Sequence, residues 1–449
     1  METPLLAAAA EVCITPPVGA TLLGFLGPST GVHDDLFARV LVLGDGKTAA
    51  AVVSLDLVGM DFCLADEMRE AVAVAAGADL VLLACSHTHS APFTIPWSLT
   101  GRHWLDGPEG LAWREGMVHR VAETATGARE RLRPAALRAG RAEVQVGHNR
   151  RAVTAEGVTM QPNPDGVTVP WVDVLCVEDE RGATQAVLFS HAAHPVIVHA
   201  ASSLVSADYP GYAVAALRRR LGQGTVAMFA QACGGNNNGH PLRGGFEAAK
   251  RAGEELAEAV LRAVAAARPL PAAPLRTATV ATRLPLRPLP PVEECRELVR
   301  RAEGQAARAE AEGAGGEASW YAHDDVLCSR DLLGQAMAGG PGAIRFEASV
   351  LAVGDAWGLV ALTHEVFAEY QRRLELESPW AHTMVTAYTN GCESYVPTDA
   401  ALAEGGYEAA SYPDMGAAWR YPYRVAMATG GEGLVMEAVR GALEAARQA

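Results

Sequence analysis

Histidines, carboxylates and a tyrosine capable of metal or acid–base chemistry fall in four places in this sequence, each near the end of an apolar run. The first is Ser86-His87-Thr88-His89-Ser90-Ala91-Pro92, after the run 81–85. On an extended backbone His87 and His89 share one face, as two ligands of one metal, or as one ligand and one substrate contact. The second is Ser190-His191-Ala192-Ala193-His194-Pro195, with Asp208 in the segment 205–211 that follows. Proline biases His194 toward an extended conformation that aims its ring beyond the strand end. His191 reads equally well as a core histidine bonded to a carbonyl. The third, 231–240, joins glycines to Asn236, Asn237 and Asn238 in a tight, amide-rich loop that could supply oxyanion donors. An ordinary asparagine–glycine turn explains the same residues. The fourth is split between Thr363-His364-Glu365 and 390–398, which holds Tyr395. A carboxylate ending so apolar a run is costly unless it meets a cation. Tyr395 read alone could be a core aromatic.

The elements that must position these groups alternate between strand and helix, which implies an α/β fold, with mixed sheets flanked by helices. Strands are expected at 49–57, 79–85, 135–145, 172–177, 185–189 and 225–230, and helices at 64–76, 110–132, 212–221 and 246–266. In open α/β sheets the crevice beyond the carboxyl ends of strands collects side chains from distant positions, so the placement of the clusters has functional weight. The proline-rich stretches 268–274 and 284–291 mark the clearest composition shift and a candidate lobe boundary. A charged, alanine-rich helix at 292–312 suggests an exposed helical insertion over 290–340. Strands return at 348–353 and 359–362, with closing helices at 366–376 and 433–448.

The chain has 449 residues, 49% of them hydrophobic and 20% charged, enough for a large α/β domain. A formal net charge of -15 disfavours phosphate backbones and anionic membrane surfaces, so nucleic acid is not expected as a partner. No stretch has the length of a membrane span, and the first ten residues lack a basic region of the export type, so a cytoplasmic location is expected. The eight cysteines are scattered without a CxxC pair and read as buried thiols, with Cys233 and Cys392 of interest because they adjoin polar motifs.

Taken together, the clusters resemble the catalytic domain of the neutral, non-lysosomal ceramidases and their shorter bacterial relatives. The likeness begins at Ile14-Thr15-Pro16-Pro17-Val18-Gly19, runs through Gly31-Val32-His33-Asp34-Asp35 and Ser54-Leu55-Asp56, and takes in the His-Thr-His-Ser loop, His194-Pro195, 206–212 and 395–407. The resemblance implies one such domain over 1–449, without the family's immunoglobulin-like C-terminal domain. It also implies one zinc ion held by His87, His194, Glu365 and Tyr395, with His89, Arg150 and Tyr407 facing the substrate carbonyl. Asn238 aligns with the family's proposed serine nucleophile, and an asparagine amide is no nucleophile.

The chemistry then expected is hydrolysis of an amide, or another acyl-type bond, of a small or N-acylated substrate by a zinc-activated water, which needs no serine. Asp208 is a candidate base or a group orienting a ligand histidine. Lyase or cyclase chemistry on a small metabolite fits the same ligand set, as does a non-catalytic binding role. The partner is a small-molecule substrate, and a homo-oligomer is left open.

Overall fold

The computed structural model describes residues 5–410 and 416–449. A long mixed sheet runs in the order Val226–Gln231, Thr184–His191, Trp171–Asp179, Arg133–Glu143, Leu6–Cys13, Phe37–Gly44, Ala49–Leu55, Leu80–Cys85. Its pairs are antiparallel except at the two edges, where Thr184–His191 lies parallel to Val226–Gln231 and Ala49–Leu55 parallel to Leu80–Cys85. Each parallel edge pair is joined by a helix, Asp208–Leu221 or Phe62–Ala76, as a parallel connection requires.

A second sheet, ordered Leu275–Pro285, Ala343–Val353, Trp357–Leu362, His382–Thr386, packs against one face of the first. Its last two strands are also parallel and are joined by the helix Ala368–Glu377. Alternate residues of the long sheet serve opposite faces. Val40, Val42, Val53, Leu55, Val81 and Leu83 pack on the helical side, while Leu41, Leu43, Val52, Leu80 and Leu82 meet Leu351, Trp357, Leu359 and Met384 of the second sheet. Strands buried on both faces lose the polar alternation of a half-buried strand, which is why they read as continuous apolar runs. The fold is thus the expected α/β type of mixed sheets with helices outside.

The proline-rich composition shift marks the passage between sheets. Arg268–Pro269 pairs with Arg133–Glu143 of the first sheet, and Leu275 opens the second, its N–H donating to Asp45 Oδ2 at 2.8 Å. Between the first two strands of the second sheet, the helices Val292–Ala311 and Gly316–Ala338 form a hairpin. Cys295, Leu298, Cys328 and Leu332 face each other and Trp419, while most of the remaining surface of the hairpin is exposed.

The long sheet curls so that its two edges approach, and Ser54 Oγ of one donates to Phe229 O of the other at 2.6 Å. Segment 387–390, leaving the second sheet, enters the junction. Ala387 N–H donates to Gln231 O, and Asn390 bonds Leu83 through both its backbone N–H and its side-chain Oδ1. Three strand–helix–strand units therefore bring their carboxyl ends to one place.

Candidate metal centre

Each converging end carries a polar side chain inward. Leu80–Cys85 leads into His87 and His89, Thr184–His191 into His194, Trp357–Leu362 into Glu365, and His382–Thr386 into Tyr388 and Tyr395. Glu365 and Tyr395 are opposed residues of one short parallel ladder, Glu365–Val366 with Tyr395–Val396. The backbone at His87 is not extended as the sequence suggested. Its φ of 67° is left-handed, a conformation uncommon for a non-glycine residue, and its N–H donates to Leu57 O at 2.8 Å. The two loop histidines still meet, with ring centroids 4.9 Å apart.

Glu365 Oε2 lies 3.0 Å from His194 Nε2 and 3.3 Å from His87 Nε2, and all three side chains are buried. His87 Nδ1 bonds Val58 O, and His194 Nδ1 bonds Gly234 O at 2.7 Å. A carbonyl only accepts, so each Nδ1 carries the proton and donates, which leaves a lone pair on each Nε2 of the neutral ring. With both rings neutral, two lone pairs would face a carboxylate oxygen, an arrangement of acceptors that a divalent cation reconciles. Burial, then Arg150 and His87, push His194 down to about 4, so the ring does not supply that positive charge itself at neutral pH. His89 Nε2 is 3.3 Å from His87 Nε2, and ligand atoms of His87, His89 and His194 all lie within 4.8 Å of one another. The donor set, imidazole nitrogens with a carboxylate, fits a borderline cation such as zinc.

Tyr421, Tyr388, Glu408 and Arg151, which the sequence did not single out, hold this cluster in place together with Arg150. Glu365 accepts from Tyr421 through Oε1 and from Tyr388 through Oε2 at 3.5 Å. Arg150 donates to Glu408 Oε1 at 2.7 Å, Asn238 Oδ1 at 2.9 Å, Gly235 O at 2.8 Å and the Tyr395 hydroxyl at 3.0 Å. Glu408 also takes Arg151 Nη1 at 2.8 Å. The Arg150 guanidinium therefore ties the asparagine loop to Tyr395. Desolvation drives Tyr395 well above the usual phenol range and Arg150 opposes it, so without a cation the hydroxyl stays protonated.

A cavity of about 190 Å³ opens beside the cluster. His87, His89, Glu365, Tyr395 and Tyr407 line it, whereas His194, Arg150 and Asn238 lie behind that lining. Asp208 is placed elsewhere: its carboxylate accepts from Val198 N–H at 2.9 Å and Tyr209 N–H at 2.6 Å, fixing the loop between His194 and the helix Asp208–Leu221. Burial, with the like charge of Asp34 among its causes, raises it to about 7. His191 is the carbonyl-bonded core histidine, with Nδ1 on Trp171 O at 2.9 Å. Cys233 and Cys392 are fully buried and their thiols are pushed far up by burial, which makes them inert, while Cys13 and Cys63 are exposed rather than buried. His199, Arg243, Glu317 and Tyr321 also line the cavity. No feature of their sequence surroundings marks them, except that His199 follows the His194 loop closely.

No family model matches the chain, and no curated protein matches it. Among solved structures it is similar to the neutral ceramidase from Pseudomonas aeruginosa, with a TM-score of 0.69 and 18% identity over 98% of this chain and 75% of that one. It is similar as well to a ceramidase complexed with C2, with a TM-score of 0.70 and 18% identity over 97% and 75%. The fold is therefore that of the neutral ceramidases, as the sequence motifs led one to expect.

Proposed function

We propose that this chain is a zinc-dependent amidohydrolase, a short relative of the bacterial ceramidases, cleaving an amide or other acyl-type bond of a small or N-acylated substrate. One observation carries the reading: the Nε2 atoms of His87 and His194 both lie within 3.3 Å of Glu365 Oε2, with both Nδ1 atoms committed to carbonyls. The activity of the structural neighbours supports it. His87, His194 and Glu365 would hold the ion, with Tyr395 completing the set.

Zinc, when bound, polarises a carbonyl and lowers the pKa of a coordinated water toward about 7. The remaining work belongs to the chain. Tyr407 and His89 line the cavity and would serve as donors toward a developing oxyanion, each such donor typically contributing about 2.7–4 kcal/mol. Arg150 acts through Tyr395, whose hydroxyl it orients and whose ionisation it favours. Asn238, which aligns with the family's serine, serves as an acceptor for Arg150, a positioning role.

The test joins metal content to turnover. The purified chain should hold one zinc ion by elemental analysis, and His194→Ala should lose it; equal zinc in both would remove His194 from the set. The zinc-loaded protein should hydrolyse members of a panel of N-acyl amides, and silence across that panel would reject hydrolysis in favour of lyase or binding chemistry.

A further inference from the structure

The cavity has two regions of different chemistry. The metal cluster lines it together with the apolar side chains Leu23, Leu26, Ile95 and Trp97. At the mouth stand Arg243 and, from the helical hairpin, Glu317 and Tyr321. At about 190 Å³ the space is below the about 300–1,000 Å³ of typical ligand pockets, which favours a short acyl group beside the metal cluster.

Arg243 is fixed relative to the metal ligands by the backbone. Gly239 N–H donates to His194 O, Arg243 N–H to Val196 O and Gly245 N–H to Ile197 O, so 239–245 is strapped along the segment that carries His194 and His199. Its guanidinium makes no hydrogen bond among the described residues. Its nearest carboxylate is Glu317 at 3.9 Å, a separation beyond hydrogen-bond range, and both side chains are about half exposed. His199 stands beside it. The Nδ1 of His199 lies against Gly24, where an added Cβ would come within 2.7 Å, and is itself buried without a hydrogen-bond partner among the described residues, while Nε2 makes no hydrogen bond there either. Burial and then Arg243 push this imidazole down to about 3, so it remains neutral and able to accept or donate a single hydrogen bond.

Resting on the amidohydrolase reading, we propose that the substrate is a short N-acyl compound bearing a carboxylate, and that Arg243, assisted by His199 Nε2, is its specificity determinant. A guanidinium fork with free donors matches the planar geometry of a carboxylate, which an ammonium or neutral amide does not. Glu317 is the group that the incoming anion displaces. Its negative charge opposes the incoming anion.

The probes are N-acetylglycine, its neutral isostere N-acetylglycinamide, and N-hexadecanoylglycine, each titrated calorimetrically into the zinc-loaded full chain. N-acetylglycine should bind at least tenfold more tightly than the carboxamide. Arg243→Ala should abolish that discrimination, while Glu317→Gln should tighten carboxylate binding several-fold and leave the carboxamide unchanged. Equal binding of the two short ligands by the wild type, or discrimination that survives in Arg243→Ala, would overturn the proposal, as would equal affinity for the long-chain probe. Turnover is measured in parallel. Carboxylate discrimination without hydrolysis would retain Arg243 as the anion site and discard the amidase reading alone.

Discussion

Glu365 is where the polar groups of this molecule meet. Its two oxygens serve His87, His194, Tyr388 and Tyr421, and the tyrosine hydroxyls fix the rotamer that presents Oε2 to the imidazoles. Removing the hydroxyl in Tyr421→Phe leaves Oε1 buried without that donor. Outer partners of metal ligands typically govern affinity by about 10–100-fold, so zinc competition titration should find a loss of that order with the fold intact. Asp208 gives a prediction in pH. Buried in the folded chain it titrates at about 7, whereas an aspartate in the unfolded chain titrates near its ordinary value of about 3.9. The carboxylate therefore costs nothing below the unfolded value and destabilises the fold increasingly as pH rises toward 7. The melting temperature of wild type relative to Asp208→Asn should fall between pH 5 and 8, and a flat difference across that range would contradict this account. At this scale the histidines and Glu365 were legible because polar residues ending apolar runs are conspicuous. Tyr388, Tyr421 and His199 were not, since their types are equally at home in a core and only three-dimensional contact distinguishes them.

At the scale of elements, the three parallel units explain why four distant sequence clusters converge. Continuous apolar runs such as Leu80–Cys85 and Trp357–Leu362 were readable as strands because both faces are buried, and the polar break after each identified the end that faces the site. Leu6–Cys13 and Leu275–Pro285 lacked that contrast. The first is alanine-rich, and the second carries arginines and threonines on a half-exposed face between proline stretches, so neither showed a buried-strand pattern. Positive φ at His87, His364 and Asn390 was equally hidden, because sequence states the residue and not the turn it is forced to make. A tight approach between elements at the site is at Gly235, whose N–H donates to Val366 O and where a Cβ would lie 2.6 Å from Glu365 O. Gly235→Ala should push the Glu365–Val366 strand away from the asparagine loop. The expected result is weakened zinc binding by titration with unchanged far-ultraviolet circular dichroism.

Across the whole molecule the two sheets share interior and ties. Trp357 is buried between them, Arg141 donates to Asp173 and Thr383 O, and His382 Nε2 lies 3.0 Å from Asp173. We propose that the chain unfolds as one unit despite the proline-marked passage between sheets. Urea unfolding followed by tryptophan emission and by circular dichroism should give coincident midpoints, and Trp357→Ala should lower stability by about 3–5 kcal/mol in both signals. Two separate transitions would instead restore the lobe boundary suggested by composition. The hairpin adds a further consequence. Trp97, which lines the cavity, stacks on Trp320 of the hairpin with centroids 6.2 Å apart and planes inclined by 18°. A molecule filling the cavity beside Trp97 should therefore change the surroundings of that indole pair, an optical gauge of occupancy readable in real time without a label and weakened by Trp97→Phe.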